Sequence, residues 1–317
     1  MIRAGKAAVR TAVVLAALAA LATPGPAVRQ AEPAPAGASA TTGPVIRLAY
    51  RSLQPGEPVL VFLDNDGTVR SASVSLLGKT AEMRAAPSSP TRLGSGSGDL
   101  FAFLGIDVQA KTGPCVMTVK LRRAGGAVEN VRKDLVIIER KFPSTKLQFK
   151  PEYVTPPASL QARIKRESEL LALATSVVTP EWLGDGPFAL PHDAPSWSNF
   201  GQRRLNNNVL QSLHTGLDVR VPFGEPIRAS NAGRVVMASD LYYGGKTVIV
   251  DHGLGVFSSY GHMSKLLVKR GDSVGKGDRI GLAGSTGRST GPHLHWSVRI
   301  YDARIDPFSL LALNIAD

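Results

Sequence analysis

The sequence predicts a mainly β protein: a small N-terminal antiparallel, sandwich-like domain, one linking helix, and a second antiparallel β domain. Three observations carry this expectation. Short apolar runs alternate with turn signals over residues 44–142 and again over 200–312. The 317 residues include 32 glycines and 22 prolines, the turn chemistry that many short strands need. Only 157–176 combines few β-branched residues with apolar positions at helical spacing. A chain of this length has room for two ordinary domains, each with its own core.

Taken in order, residues 1–27 have the form of a secretory signal peptide. Arg3, Lys6 and Arg10 precede the apolar run Ala12 to Ala22, which "TPGPA" follows with small residues suited to cleavage. That run is about half of what a membrane-spanning helix needs. The mature chain is therefore expected outside the cytoplasm, in the periplasm or cell envelope, with no stable membrane insertion. Residues 28–43, "VRQAEPAPAGASATTG", have too little apolar content to fold and read as a flexible spacer. From 44 to 142, "PVLVFL", "VSLL", "DLFAFLGIDV", "CVMTVKL" and "DLVIIE" read as strands, with "GSGSG" at 94–98 as a flexible loop. The only cysteine, Cys115, is expected as a buried strand residue and excludes an intrachain disulfide. Nothing in this stretch clusters His, Cys or carboxylates. A linker over 143–199 carries the helix, whose Pro157 suits a helix start. Beyond 200, "VVMAS", "TVIVDH", "VFSSYGH", "RIGLAG" and "LHWSVRIY" supply the second set of strands. The net charge of +12 favours an anionic partner. With 6% aromatic residues and no basic block, an envelope polymer is expected rather than nucleic acid.

The histidines carry the chemical signal. In "STGPHLHW", strand alternation puts His293 and His295 on one face. In "HTGLD", a fully extended strand would hold His214 and Asp218 about 13 Å apart, too far to share an ion, so the chain is expected to bend at Thr215 and Gly216. His262 closes the alternating "VFSSYGH". A hydrolytic zinc site takes three His or carboxylate ligands and leaves one position open. His214, Asp218 and one of His293 and His295 meet that count. The other, with His262, is then free to act as general base and to stabilise developing charge. A single cysteine excludes thiolate and iron–sulfur sites, leaving zinc as the expected metal. "GLAGSTG" precedes a strand and lacks the lysine of a phosphate cradle, and no serine sits in a G-x-S-x-G elbow. His252 and His192 read as turn and loop residues.

"HTGLDVRVPFGEPIRASNAGRV", "YGHMS" and "VGKGDRIGLAGSTGRSTGPHLHW" together resemble the lysostaphin/LytM-type zinc metallo-endopeptidases, which cut the peptides of bacterial peptidoglycan. The resemblance covers roughly 200–310, and 44–140 is similar to a β domain that often precedes the peptidase. It implies an antiparallel β peptidase domain with a metal on the floor of an active-site groove. It implies one zinc ion held by His214, Asp218 and His295, with His262 and His293 as catalytic histidines. The expected function is that of a secreted DD-endopeptidase acting on peptidoglycan stem peptides and crosslinks. The alternative is a non-catalytic wall-binding regulator of other wall hydrolases; the five filled positions argue for the enzyme. The N-terminal domain is expected either to bind wall or to cover the groove.

Overall fold

The computed structural model describes residues 29–30, 44–85, 99–194 and 199–313. The expected signal peptide, nearly all of the spacer and the "GSGSG" loop lie outside these residues. Within the spacer, Arg29–Gln30 pair antiparallel with Val45–Tyr50.

The fold is mainly β. The N-terminal strands form one antiparallel path: Arg29–Gln30, Val45–Tyr50, Pro58–Asp64, Leu100–Gly105, Lys79–Ala85, Val69–Leu76, Gly113–Arg123, Val128–Ile137. Lys79–Ala85 turns the corner, pairing with Val69–Leu76 over most of its length and with Leu100–Gly105 through Arg84 and Ala85. The sheet thereby folds over a core that includes Val61, Leu63, Val74, Leu104, Met117 and Leu121. Burying each such side chain contributes about 1.5–3 kcal/mol. Cys115 lies in a strand as expected but is only half-buried, near the end of Gly113–Arg123 before Met117, Val119 and Leu121 reach the core.

The runs "PVLVFL" and "LFAFL" are continuously apolar because both faces of their strands are covered. Val59, Val61 and Leu63 face the N-terminal core, whereas Leu60, Phe62, Phe101 and Phe103 join a second core with Phe188, Phe200, Ile300 and Ile305. Phe103 packs on Trp182 with ring centroids 5.0 Å apart. At Gly105 an added Cβ would sit 2.6 Å from that of Ala303, so the glycine permits close approach of the two halves. Charges lock the same seam. Arg140 donates to Asp306 at 2.6 Å, Ser309 Oγ donates to Glu57 at 2.9 Å, and Arg304 forks onto both oxygens of Asp107 at 2.8 and 2.6 Å.

The C-terminal sheet orders its strands Leu217–Val219, Leu294–Ile300, Val256–Met263, Gly245–Asp251, Gly233–Leu241 and Ser273–Val274, with Ala303–Ile305 beside Leu294–Ile300. The linking helix runs Ala158–Ala174. It stops short of 176 because the Thr175 and Ser176 hydroxyls turn back onto the carbonyls of Leu171 and Leu173. None of its residues is buried. Glu167 tethers it to the sheet by accepting the Tyr242 N–H at 2.7 Å. The rest of the linker is more ordered than its sequence suggests: Ser144–Leu147 pairs parallel with Arg203–Asn206, which pairs antiparallel with Leu210–Leu213. Short helices also form at Pro151–Val154 and Pro307–Leu311.

His252 lies in the turn joining Gly245–Asp251 to Val256–Met263, as the sequence suggests, but that turn is packed inside the fold. It is fully buried, donating from Nδ1 to the Ala232 carbonyl at 2.7 Å, with the Ser258 hydroxyl 2.7 Å from Nε2 and Tyr260 linked beyond it. A polar contact from each side makes the interior acceptable to a neutral imidazole. Burial pushes its pKa down to about 4.

Candidate metal centre and its groove

The bend expected in "HTGLD" is present. His214 precedes it, and Leu217–Val219 then enters the sheet with Asp218 in register opposite His295. Asp218 and His295, seventy-seven positions apart, thus meet as cross-strand neighbours, and the bend brings His214, four positions before Asp218, to the same point. His214 Nε2 lies 3.0 Å from Asp218 Oδ1 and 3.1 Å from His295 Nδ1, and His295 Nδ1 lies 2.9 Å from the same Oδ1. These three donors form the one His/Asp cluster with metal-site spacing among the described residues. The triangle fits a tetrahedral ion, whose ligands at bonds of about 2 Å stand about 3.3 Å apart.

The supports of each ligand set its chemistry. His214 Nδ1 donates to the Asn199 carbonyl at 2.9 Å, which leaves the Nε2 lone pair for a metal. Asn199 Oδ1 also accepts the Asp218 N–H at 3.1 Å. Asp218 Oδ2 is held by Arg204 at 2.6 Å. Burial alone would raise the Asp218 pKa, but the hydrogen bonds and charges of His214 and His295 override it and hold the carboxyl well below the usual range. Burial lowers the pKa of His295, against the pull of Asp218. Gly216 makes room for that ring: a Cβ there would lie 2.8 Å from His295 Cε1 and Nε2 and 2.7 Å from the Trp296 carbonyl oxygen.

His262 and His293 stand together at the open side of the triangle, with ring centroids 4.7 Å apart. His262 adopts φ 62°, a left-handed conformation that a non-glycine residue takes only when its surroundings enforce it. Its N–H donates to the Gly244 carbonyl at 2.7 Å, and Nδ1 donates to the Thr286 carbonyl at 2.8 Å. Burial, helped by His293 and His295, lowers its pKa to about 3. His293 Nδ1 donates to the Gly291 carbonyl at 2.7 Å, and its Nε2 lies 3.7 Å from Asp218 Oδ1. Burial lowers its pKa too. Both rings are therefore neutral at pH 7 with Nε2 free to accept a proton.

These residues line a groove of about 760 Å³. A second cavity of about 430 Å³ shares His262, His295, Thr215 and Tyr243 with it and continues under the helix Ala158–Ala174. Among the described residues, none from 44 to 142 lines either cavity. All five residues singled out from the sequence converge here. Asn199, Arg204, Tyr243 and Arg288 were not singled out; the cluster of polar residues in "SNFGQRR" was the one available signal for the first two.

Three candidate ligands with an open side have the form of a catalytic rather than a closed structural metal site. The profile of peptidase family M23 matches residues 212–307. A crystal structure of a Pseudomonas aeruginosa protein described as an M23 peptidase superposes with a TM-score of 0.60 at 30% identity, covering 82% of this chain and 96% of that one. The chain belongs to peptidase family M23. It is 42% identical over 119 residues to peptidoglycan DD-endopeptidase ShyA of Vibrio cholerae, which is 37% of this chain and 27% of the relative. It is also 42% identical over 113 residues to DD-carboxypeptidase/endopeptidase Mpg of Neisseria meningitidis, 36% of this chain and 26% of the relative. The chain thus spans little more than a quarter of the length of these curated relatives. The family implies a metal, and the donor set fits one.

Proposed function

We propose that the protein is a zinc metallo-endopeptidase of the cell envelope that hydrolyses peptide crosslinks of peptidoglycan. The observation that carries this reading is the convergence of His214, Asp218 and His295 into one donor triangle with His262 and His293 at its open side. The names of the Vibrio and Neisseria relatives support the substrate class. His214, Asp218 and His295 would hold one zinc ion, with Asn199 and Arg204 fixing the orientation of the first two. When bound, the ion supplies Lewis acidity for the scissile carbonyl and for the attacking water.

The chain's own residues then do the following. His262 and His293, neutral and aimed by the carbonyls of Thr286 and Gly291, present Nε2 to the reacting centre. One takes the proton of the attacking water; the protonated imidazole returns it to the departing amine. The left-handed backbone at His262 and the register of Leu294–Ile300 hold the rings in place. The groove and the adjoining cavity, which share His262 and His295, give room for a peptide to extend past the reacting centre, as internal cleavage requires.

A non-catalytic regulator is the second reading, and the complete set of five residues weighs against it. Metal content and crosslink cleavage separate the two. The enzyme binds one zinc per chain and releases uncrosslinked fragments in a chelator-sensitive way. Purified protein with one zinc per chain that leaves sacculi intact would sustain the regulator.

A further inference from the structure

The lining of the groove is strongly one-sided in charge. Among the described residues, Arg204, Arg220 and Arg288 face it, against a single carboxylate, Asp218, which the triangle and Arg204 already claim. Arg288 differs from the other two. Its guanidinium is stacked between Phe149 at 5.6 Å and Tyr243 at 4.7 Å, and its backbone N–H donates to the Tyr243 carbonyl at 2.9 Å. No carboxylate among the described residues pairs with it. Burial depresses its pKa, and Arg204 adds repulsion. A guanidinium taken partly out of water and left without an anion is costly unless a ligand supplies one. Two aromatic faces fix its plane, which is the preorganisation a bidentate carboxylate contact needs.

Its position ties it to the chemistry. Arg288 lies between Thr286, whose carbonyl aims His262, and Gly291, whose carbonyl aims His293. One short loop therefore carries both histidine supports and the unpaired cation. Building on the peptidase reading, we propose that Arg288 is the specificity-determining residue of the groove, receiving a free α-carboxylate on the amine side of the scissile amide. The substrate class follows from covalent structure. Where an alanyl carbonyl is joined to the amino group of an α-amino acid centre, that centre keeps its carboxylate two bonds from the scissile nitrogen. A crosslink to a diamino acid through such a centre has it, and so does a C-terminal residue removed by a carboxypeptidase. A crosslink to the side-chain amine of lysine does not.

The test uses the full chain with two synthetic crosslinked peptides that differ only in a free carboxylate or a primary carboxamide at that centre, and a matching pair of linear peptides. The wild type is expected to cut the carboxylate form with kcat/KM about 10- to 100-fold higher, the range for hydrogen bonds to a charged group. Arg288→Gln should lose activity on the carboxylate form alone, abolishing the preference, and Arg288→Lys should restore part of it. Preference in the crosslinked pair, the linear pair or both tells which source of carboxylate the arginine serves. No preference in the wild type, or an equal loss on both forms in Arg288→Gln, overturns the proposal. If zinc-loaded wild type cuts neither form, the peptidase reading fails, and equilibrium titration of the same pair decides for Arg288. Tighter binding of the carboxylate form that Arg288→Gln removes supports it; equal binding overturns it.

Discussion

Gly216→Ala tests how the fold builds the metal triangle. The glycine is required for space, since the added Cβ would lie 2.7 Å from the Trp296 carbonyl oxygen and 2.8 Å from two atoms of the His295 ring. Ordinary contact begins about 3.4 Å apart, so each neighbour is about 0.6–0.7 Å too close. The carbonyl belongs to the backbone of Leu294–Ile300 and pairs within the sheet, so the strain falls on the ring. Metal–ligand bonds tolerate about 0.2 Å. A ring displaced by several tenths of an ångström takes its Nδ1 out of the triangle with Asp218 and His214. Zinc affinity, measured by competition with a chromophoric chelator, should fall by about 10- to 100-fold, the scale seen when groups that orient a ligand are altered. The thermal midpoint of the metal-free protein should change far less. Zinc affinity within about 3-fold of wild type would refute the claim that the ring cannot yield.

Three further outcomes follow from the same structure. His252 binds its proton at about pH 4 in the fold, against an ordinary value near 6.5, so between those values the unfolded chain holds more protons and stability must fall as pH falls. The shift is worth about 3 kcal/mol; in urea titrations, His252→Gln should lose about that much less stability than wild type between pH 7 and pH 4, and an unchanged difference would contradict the neutral buried imidazole. Glu57→Ala should destabilise by about 3 kcal/mol, because Arg51 loses its buried carboxylate partner at the seam between the two halves while Arg140 keeps Asp306, read from the denaturant midpoint. His262→Ala and His293→Ala should each retain one zinc per chain yet lose at least about 100-fold in crosslink cleavage, the usual range for a general base; loss of the metal instead would make them ligands.

The His/Asp triangle was legible in outline because its parts are local: "HTGLD" had to bend for His214 and Asp218 to approach, and alternation set His293 and His295 on one face. Residue spacing alone left open which of that pair touches Asp218, since strand register decides it; the family resemblance pointed to His295, which stands directly opposite Asp218. The apolar runs "PVLVFL" and "LFAFL" read correctly as strands, but their unbroken character was the trace of a second covered face, now seen to be the seam with the peptidase half. Arg288 escaped because its meaning lies in what it lacks. A stacked guanidinium without an anion becomes visible only once Phe149 and Tyr243, far apart in the chain, are placed around it. His252 read correctly as a turn residue, but its burial was not legible, since its partners Ala232 and Ser258 come from neighbouring segments that close over it.

The most direct test of the central claim is zinc-dependent crosslink cleavage by chelator-stripped protein, with fragments identified by mass. Stripped wild type should leave crosslinked sacculi intact and regain cleavage with one equivalent of zinc, each event adding one water across a crosslinking amide. His214→Ala should neither bind zinc stoichiometrically nor recover. A His214→Ala protein that holds one zinc per chain and still cuts the wall would contradict the account.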